Sequence, residues 1–95
     1  MTSPQGDCLR AALQVGYHLL DRGSCALVAV EQTIRVLERS GLFNAGTGAH
    51  LQLDGVRRMD ASIMEGESLR AGAVASIEGI VHPITAASRV MEETD

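Results

Sequence analysis

Ninety-five residues carry a net charge of −4 and a hydrophobic fraction of 45%, with one Phe, one Tyr and no Trp. A chain this short builds at most one small domain, and its acidic balance excludes the basic face that a nonspecific grip on nucleic acid needs. No apolar run approaches the roughly 20 residues of a membrane span, and Cys8 and Cys25 lack the number and spacing of a disulfide framework or zinc site.

Neither nucleic acid nor membrane is therefore an expected partner. No basic segment followed by an apolar stretch opens the chain, so the expected compartment is the cytoplasm. Ala, Val, Leu and Gly supply most of the core material. Aromatics bury the most surface per residue, and cores this small stabilise by about 3–5 kcal/mol. The composition reads as a piece that expects a larger partner surface.

In chain order, residues 1–6 are expected to be a disordered lead and 7–95 a single partial domain. Removal of Met1 would expose Thr2, whose amine can act as base for its own hydroxyl. Ser3-Pro4-Gln5-Gly6 offers no strand to hold it, and Thr2 is assigned no role. Asp7 can cap a first helix with Leu9, Leu13, Gly16, Tyr17 and Leu20 on one buried face, and Gly23 fits its left-handed stop. Ser24 can cap a second helix striped by Leu27, Val30, Ile34 and Leu37, ending around Ser40-Gly41. Glu31 and Arg35 read as an i,i+4 pair on its outside. The short link Arg22–Ser24 predicts that the two helices pack antiparallel.

The pattern changes after Gly41. Residues 49–53 alternate as a half-buried strand should, Asp54-Gly55 is a two-residue type I′ hairpin signal, and 56–64 reads as the return strand. After a turn at Glu65-Gly66-Glu67-Ser68, the unalternating run Ala71 to Ile77 predicts a strand covered on both faces. Pro83 suits the first position of a last helix, with Ile84, Ala87 and Met91 on one side. The order helix, helix, three strands, helix gives an α+β class.

Few residues carry chemistry. His18, His50 and His82 stand 32 apart with no i,i+4 pair, a spacing that suits neither a metal site nor a general base. Asp60 falls within a strand, where a carboxylate needs partners; Arg57, Arg58 and Arg70 are candidates, and no catalytic role is expected of it. Glycines in Leu42-Phe43-Asn44-Ala45-Gly46-Thr47-Gly48 permit positive φ and close backbone approach, so that carbonyls can converge. With no Lys after them and no helix beginning there, they do not read as a phosphate cradle. Two readings of Asn44 stay open on the residues alone: it satisfies its own backbone, as loop asparagines do, or it serves a site.

Eleven residues beyond that loop comes Asp60-Ala61-Ser62-Ile63-Met64-Glu65-Gly66. Together the two strings resemble the first half of the plant-type asparaginases, or isoaspartyl peptidases, which are threonine-dependent hydrolases made as a self-cleaving precursor. The resemblance runs from Asp7 to Asp95 and is strongest from Phe43 to Pro83. It implies part of a four-layer αββα sandwich, the fold of the Ntn-hydrolases. By position it implies a structural sodium ion held by the backbone carbonyls of Leu37, Glu38, Ser40, Phe43, Ala45 and Thr47, and no organic cofactor. It implies Asn44 as a supporting active-site residue beside the nucleophile. The string Ala71-Gly72-Ala73-Val74-Ala75 looks like the Thr-Val-Gly-Ala-Val-Ala that opens the family's catalytic subunit. Here Leu69-Arg70 precedes it in place of the threonine, so it reads as core. The implied partners are a β-subunit-like remainder and, in the whole enzyme, a small amide or β-aspartyl dipeptide substrate. A 95-residue chain without that threonine is expected to be inactive alone, and a non-enzymatic interaction module is the rival reading.

Overall fold

The structure, a computed structural model, describes residues 3–94. Helix α1 spans Pro4–Asp21. Its cap is Ser3, whose hydroxyl accepts the Gly6 N–H at 3.0 Å, and Pro4 occupies the first turn, where a missing N–H costs nothing. The expected Asp7 cap is thus corrected: Asp7 lies inside the helix, and Ser3 to Gly6, read as part of a disordered lead, form the cap and first turn. Thr2 lies outside the described residues. The stop is as expected. Gly23 takes φ 87° and donates to Leu20 O, while Ser24 donates to Leu19 O, the paired bonds of a Schellman ending.

Helix α2, Ala26–Ser40, follows with Cys25 at its cap position and no side-chain cap bond, in place of the Ser24 cap expected. Its start lies near the end of α1, and Cys8 near the start of α1 lies beside Val36 and Ser40, so the pair is antiparallel. They meet through small residues. Ala12 and Gly16 of α1 are buried, Gly16 beside Ala29 and Thr33 of α2, and a β-carbon on Gly16 would collide with the Thr33 hydroxyl. Of the face the periodicity predicts, only Gly16 is buried by this contact. Leu13, Tyr17 and Leu20 are 68%, 73% and 55% exposed.

A loop with one 3-10 turn at Gly46–Gly48 leads to the hairpin β1 (Met59–Met64) and β2 (Ala71–Ile77), paired antiparallel with Ile63 opposite Gly72 and Ala61 opposite Val74. Among the described residues two strands form, not three. Residues 49–53 contribute only a single bridge, Leu51 to Arg57, and β1 starts at Met59, three residues into the expected return strand. The turn differs too. Gly55 donates to Gln52 O at 2.9 Å and itself has φ 79°, so Leu53-Asp54-Gly55 is a three-residue loop rather than a two-residue type I′ one. Helix α3, Pro83–Glu93, begins at the expected proline and lies across one hairpin face. The approach is close: a β-carbon on Gly72 would stand 2.5 Å from Met91 N. Ile63, Ile84, Ala87 and Met91 form the core, with Leu27 and Ile34 of α2 against it.

The other hairpin face, with Ser62, Met64, Ala71 and Ala73, is exposed, so β2 is covered on one face and not two. The molecule is a slab of 41 × 39 × 15 Å with a radius of gyration of 14.2 Å, against about 12 Å for a compact domain of this length. It exposes 6393 Å², where a folded monomer of this size exposes about 5,200 Å². The class is α+β, as expected, in a flatter and more exposed form than a compact domain of this length takes. No helix among the described residues is long and apolar enough to cross a membrane.

Candidate functional site

The last turn of any helix leaves carbonyls without intrahelical partners, at the negative end of its dipole. In α2 these belong to residues 37–40. The chain then turns sharply and folds back over them. Ser40 Oγ donates to Leu37 O at 2.8 Å and accepts Leu42 N at 3.1 Å. Ala45 donates to Phe43 O at 2.7 Å, and Gly48 to Ala45 O at 3.1 Å.

Gly46 is the close-packed point of this fold-back. It is buried with φ 54°, and a β-carbon there would stand 2.6 Å from Glu38 O and 2.7 Å from Val81 O. Only glycine brings the loop backbone this near both segments.

Asn44 lies on this loop, with its amide oxygen accepting His50 N at 2.8 Å. The bond ties the two ends of the 3-10 turn together, so the backbone-satisfying reading of Asn44 holds. The side chain is also exposed at the edge of a cleft of about 220 Å³ shared with Glu38, Gly46, Asp60 and Pro83. None of the described residues lining that cleft carries a hydroxyl or a thiol.

Asp60 is exposed rather than buried. Its carboxylate accepts Ser76 N at 2.7 Å, beside the irregular register between Met59 and Ala61. None of the expected arginines serves it. Arg57 Nε donates to Ala49 O at 2.9 Å, Arg58 pairs with Asp54 at 2.9 Å and Glu78 at 3.3 Å, and Arg70 caps the end of α3 on Met91 O at 2.7 Å. Glu31 and Arg35 both turn inward to the Thr85 hydroxyl of α3, so the expected outer pair is an interhelical polar contact.

One side chain has a role that no sequence expectation covers. The resemblance implies a role for the Glu38 carbonyl alone, yet Glu38 is 3% exposed and its carboxylate reaches His82 Nδ1 at 3.1 Å and Ile84 N at 3.0 Å. A signal existed: an acidic residue in the last turn of a helix opposes the dipole, and such placements need a compensating partner.

The carbonyls of Leu37, Glu38, Ser40, Phe43, Ala45 and Thr47 all belong to this one folded-back segment. Neutral oxygens from a helix end and a tight loop are a donor set that fits a hard cation. Those of Leu37, Phe43 and Ala45 already accept a bond and keep a second lone pair. No group of three His, Cys, Asp or Glu suited to a metal occurs among the described residues.

Comparison with known proteins bears on this loop and hairpin directly. The sequence pattern of a family described as asparaginase matches residues 2–95. The chain belongs to the asparaginase family. The plant-type L-asparaginase of Pyrococcus furiosus is 54% identical over 87 residues, covering 92% of this chain and 28% of that protein. The isoaspartyl peptidase/L-asparaginase of Xenopus laevis is 46% identical over 87 residues, again 92% and 28%. The isoaspartyl peptidase of Escherichia coli is 40% identical over 88 residues, 93% and 27%. The chain thus spans little more than a quarter of the length of these asparaginase-family relatives.

Proposed function

We propose that this chain is the N-terminal, α-subunit-like portion of a threonine-dependent Ntn-hydrolase that cleaves the side-chain amide of asparagine or the β-linked bond of an isoaspartyl peptide. In that reaction a threonine hydroxyl attacks the amide carbonyl, the amine leaves, and water releases aspartate from the acyl-enzyme. The nucleophile and the groups that hold the substrate carboxylates belong to the β-subunit-like remainder. This portion supplies scaffold and order. Asn44 stands at the cleft edge as a supporting residue, and the carbonyls of the 37–47 segment would hold a structural sodium ion, which supplies charge to fix the loop.

The observation that carries this reading is the loop itself. In a chain of the asparaginase family, Glu38 at the end of α2, Ala45 and Gly46 of the folded-back loop and Asn44 line one cleft beside the hairpin. The rival, a non-enzymatic interaction module, draws on the same exposed sheet face. Release of ammonia from L-asparagine, or of the second amino acid from β-aspartyl dipeptides, separates the two. The 95-residue chain alone is expected to release none. Mixed with the portion of the Pyrococcus furiosus relative beyond the matched segment, it is expected to release ammonia. Turnover by the chain alone, or none in the mixture, defeats the proposal.

A further inference from the structure

Glu38 is the only buried residue with a formally charged side chain among the described residues. Its own helix disfavours it, because a carboxylate in the last turn of α2 faces the negative end of the dipole. Another helix compensates. At the start of α3, His82 makes no side-chain cap bond, Pro83 has no N–H, and Thr85 and Ala86 both donate to His82 O. Ile84 N is the donor left over in a buried helix end, and Glu38 Oε2 accepts it. Glu38 Oε1 meanwhile meets His82 Nδ1, an ion pair whenever the imidazole is protonated. A single carboxylate therefore grips both ends of the corner from His82 to Ile84, across more than forty residues of sequence.

That corner touches the loop. Val81 O, one residue before it, and the backbone O and Cβ of Glu38 both crowd the place a β-carbon on Gly46 would take, at 2.7 Å and 2.6 Å. Gly46 is two residues from Asn44 and opens the 3-10 turn that Asn44 ties to His50.

We propose that the Glu38 side chain is a positioning residue for Asn44. By closing the corner 81–84 onto Gly46 it fixes the loop that presents the asparagine to the cleft. The meaning of this for catalysis rests on the role given to Asn44 above, whereas the mechanical coupling does not.

Hydrogen exchange of the 95-residue chain, read by mass spectrometry, tests it. In the wild type, residues 43–50 are expected to be protected. Glu38→Gln keeps the volume but offers one acceptor oxygen where two are used. It is expected to speed exchange of residues 43–50 by about tenfold while leaving residues 9–20 of α1 within about twofold. His82→Ala is expected to loosen 43–50 likewise, and His82→Asn, which keeps an N–H donor for Oε1, to restore it. This pair decides the matter if Glu38→Gln does not fold. An unprotected 43–50 segment in the wild type, an unchanged one in Glu38→Gln, or equal acceleration of every segment overturns the proposal. So does equal behaviour of the two His82 variants. The ammonia test above fails or succeeds independently of these rates.

Discussion

The two ends of the chain are held in opposite ways. At the C-terminal end, α3 lies on the hairpin through a buried apolar core, with Glu38 joined to His82 and Ile84, and Glu31 and Arg35 joined to Thr85. At the N-terminal end, α1 touches α2 where Gly16 meets Ala29 and Thr33, and leaves Leu13, Tyr17 and Leu20 exposed. These three, with Val30 and Ile34, line an apolar groove of about 410 Å³. One half is consolidated within the chain. The other carries a stripe whose burial requires another surface, since leaving a Leu exposed forgoes about 1.5–3 kcal/mol of transfer free energy.

Substitutions can break that contrast. Ile84→Ala removes the largest fully buried side chain of the core and is expected to cost about 2–5 kcal/mol, read from the urea midpoint. Gly72→Ala sets a β-carbon against the Ala87 carbonyl and Met91 N, both backbone atoms that move only if α3 lifts. An expected loss of about 1–3 kcal/mol follows, with the α3 segment losing exchange protection before α2. Ser3→Ala removes the cap of α1 and is expected to cost about 0.5–1 kcal/mol, seen as faster exchange in the first turn alone. Smallest of all, Leu13→Ser is expected to change stability of the isolated chain by no more than about 0.5 kcal/mol. The same change should weaken any complex that covers the groove. A large loss from Leu13→Ser in the isolated chain would erase the distinction between the two halves.

Local chemistry was legible in the sequence, and tertiary choice was not. Gly23 as a stop, Pro83 as a start, the break at Gly41 and the strand from Ala71 to Ile77 each follow from a residue's own backbone preference. Ser3 and Asp7 are both good caps. Which one acts depends on where α1 begins, and Pro4 sets that by fitting only the first turn. Periodicity identified the apolar face of α1 correctly as apolar, but it cannot say which molecule covers it. Residues 49–53 have a strand's alternation without a second partner strand among the described residues, so one bridge forms and the rest stays irregular. The glycines of the 37–48 loop predict close backbone approach, whereas its functional reading comes from the family resemblance. Glu38 escaped because its role depends on a contact with residue 84 that no local pattern encodes.

The N-terminal face and the open sheet are predicted to be surfaces for a larger body. Sedimentation velocity of the chain at micromolar concentration tests this most directly, run alone and with the portion of the Pyrococcus furiosus relative beyond the matched segment. The prediction is self-association of the chain alone, giving way to a one-to-one complex in the mixture. A stable monomer that ignores the added portion would contradict it.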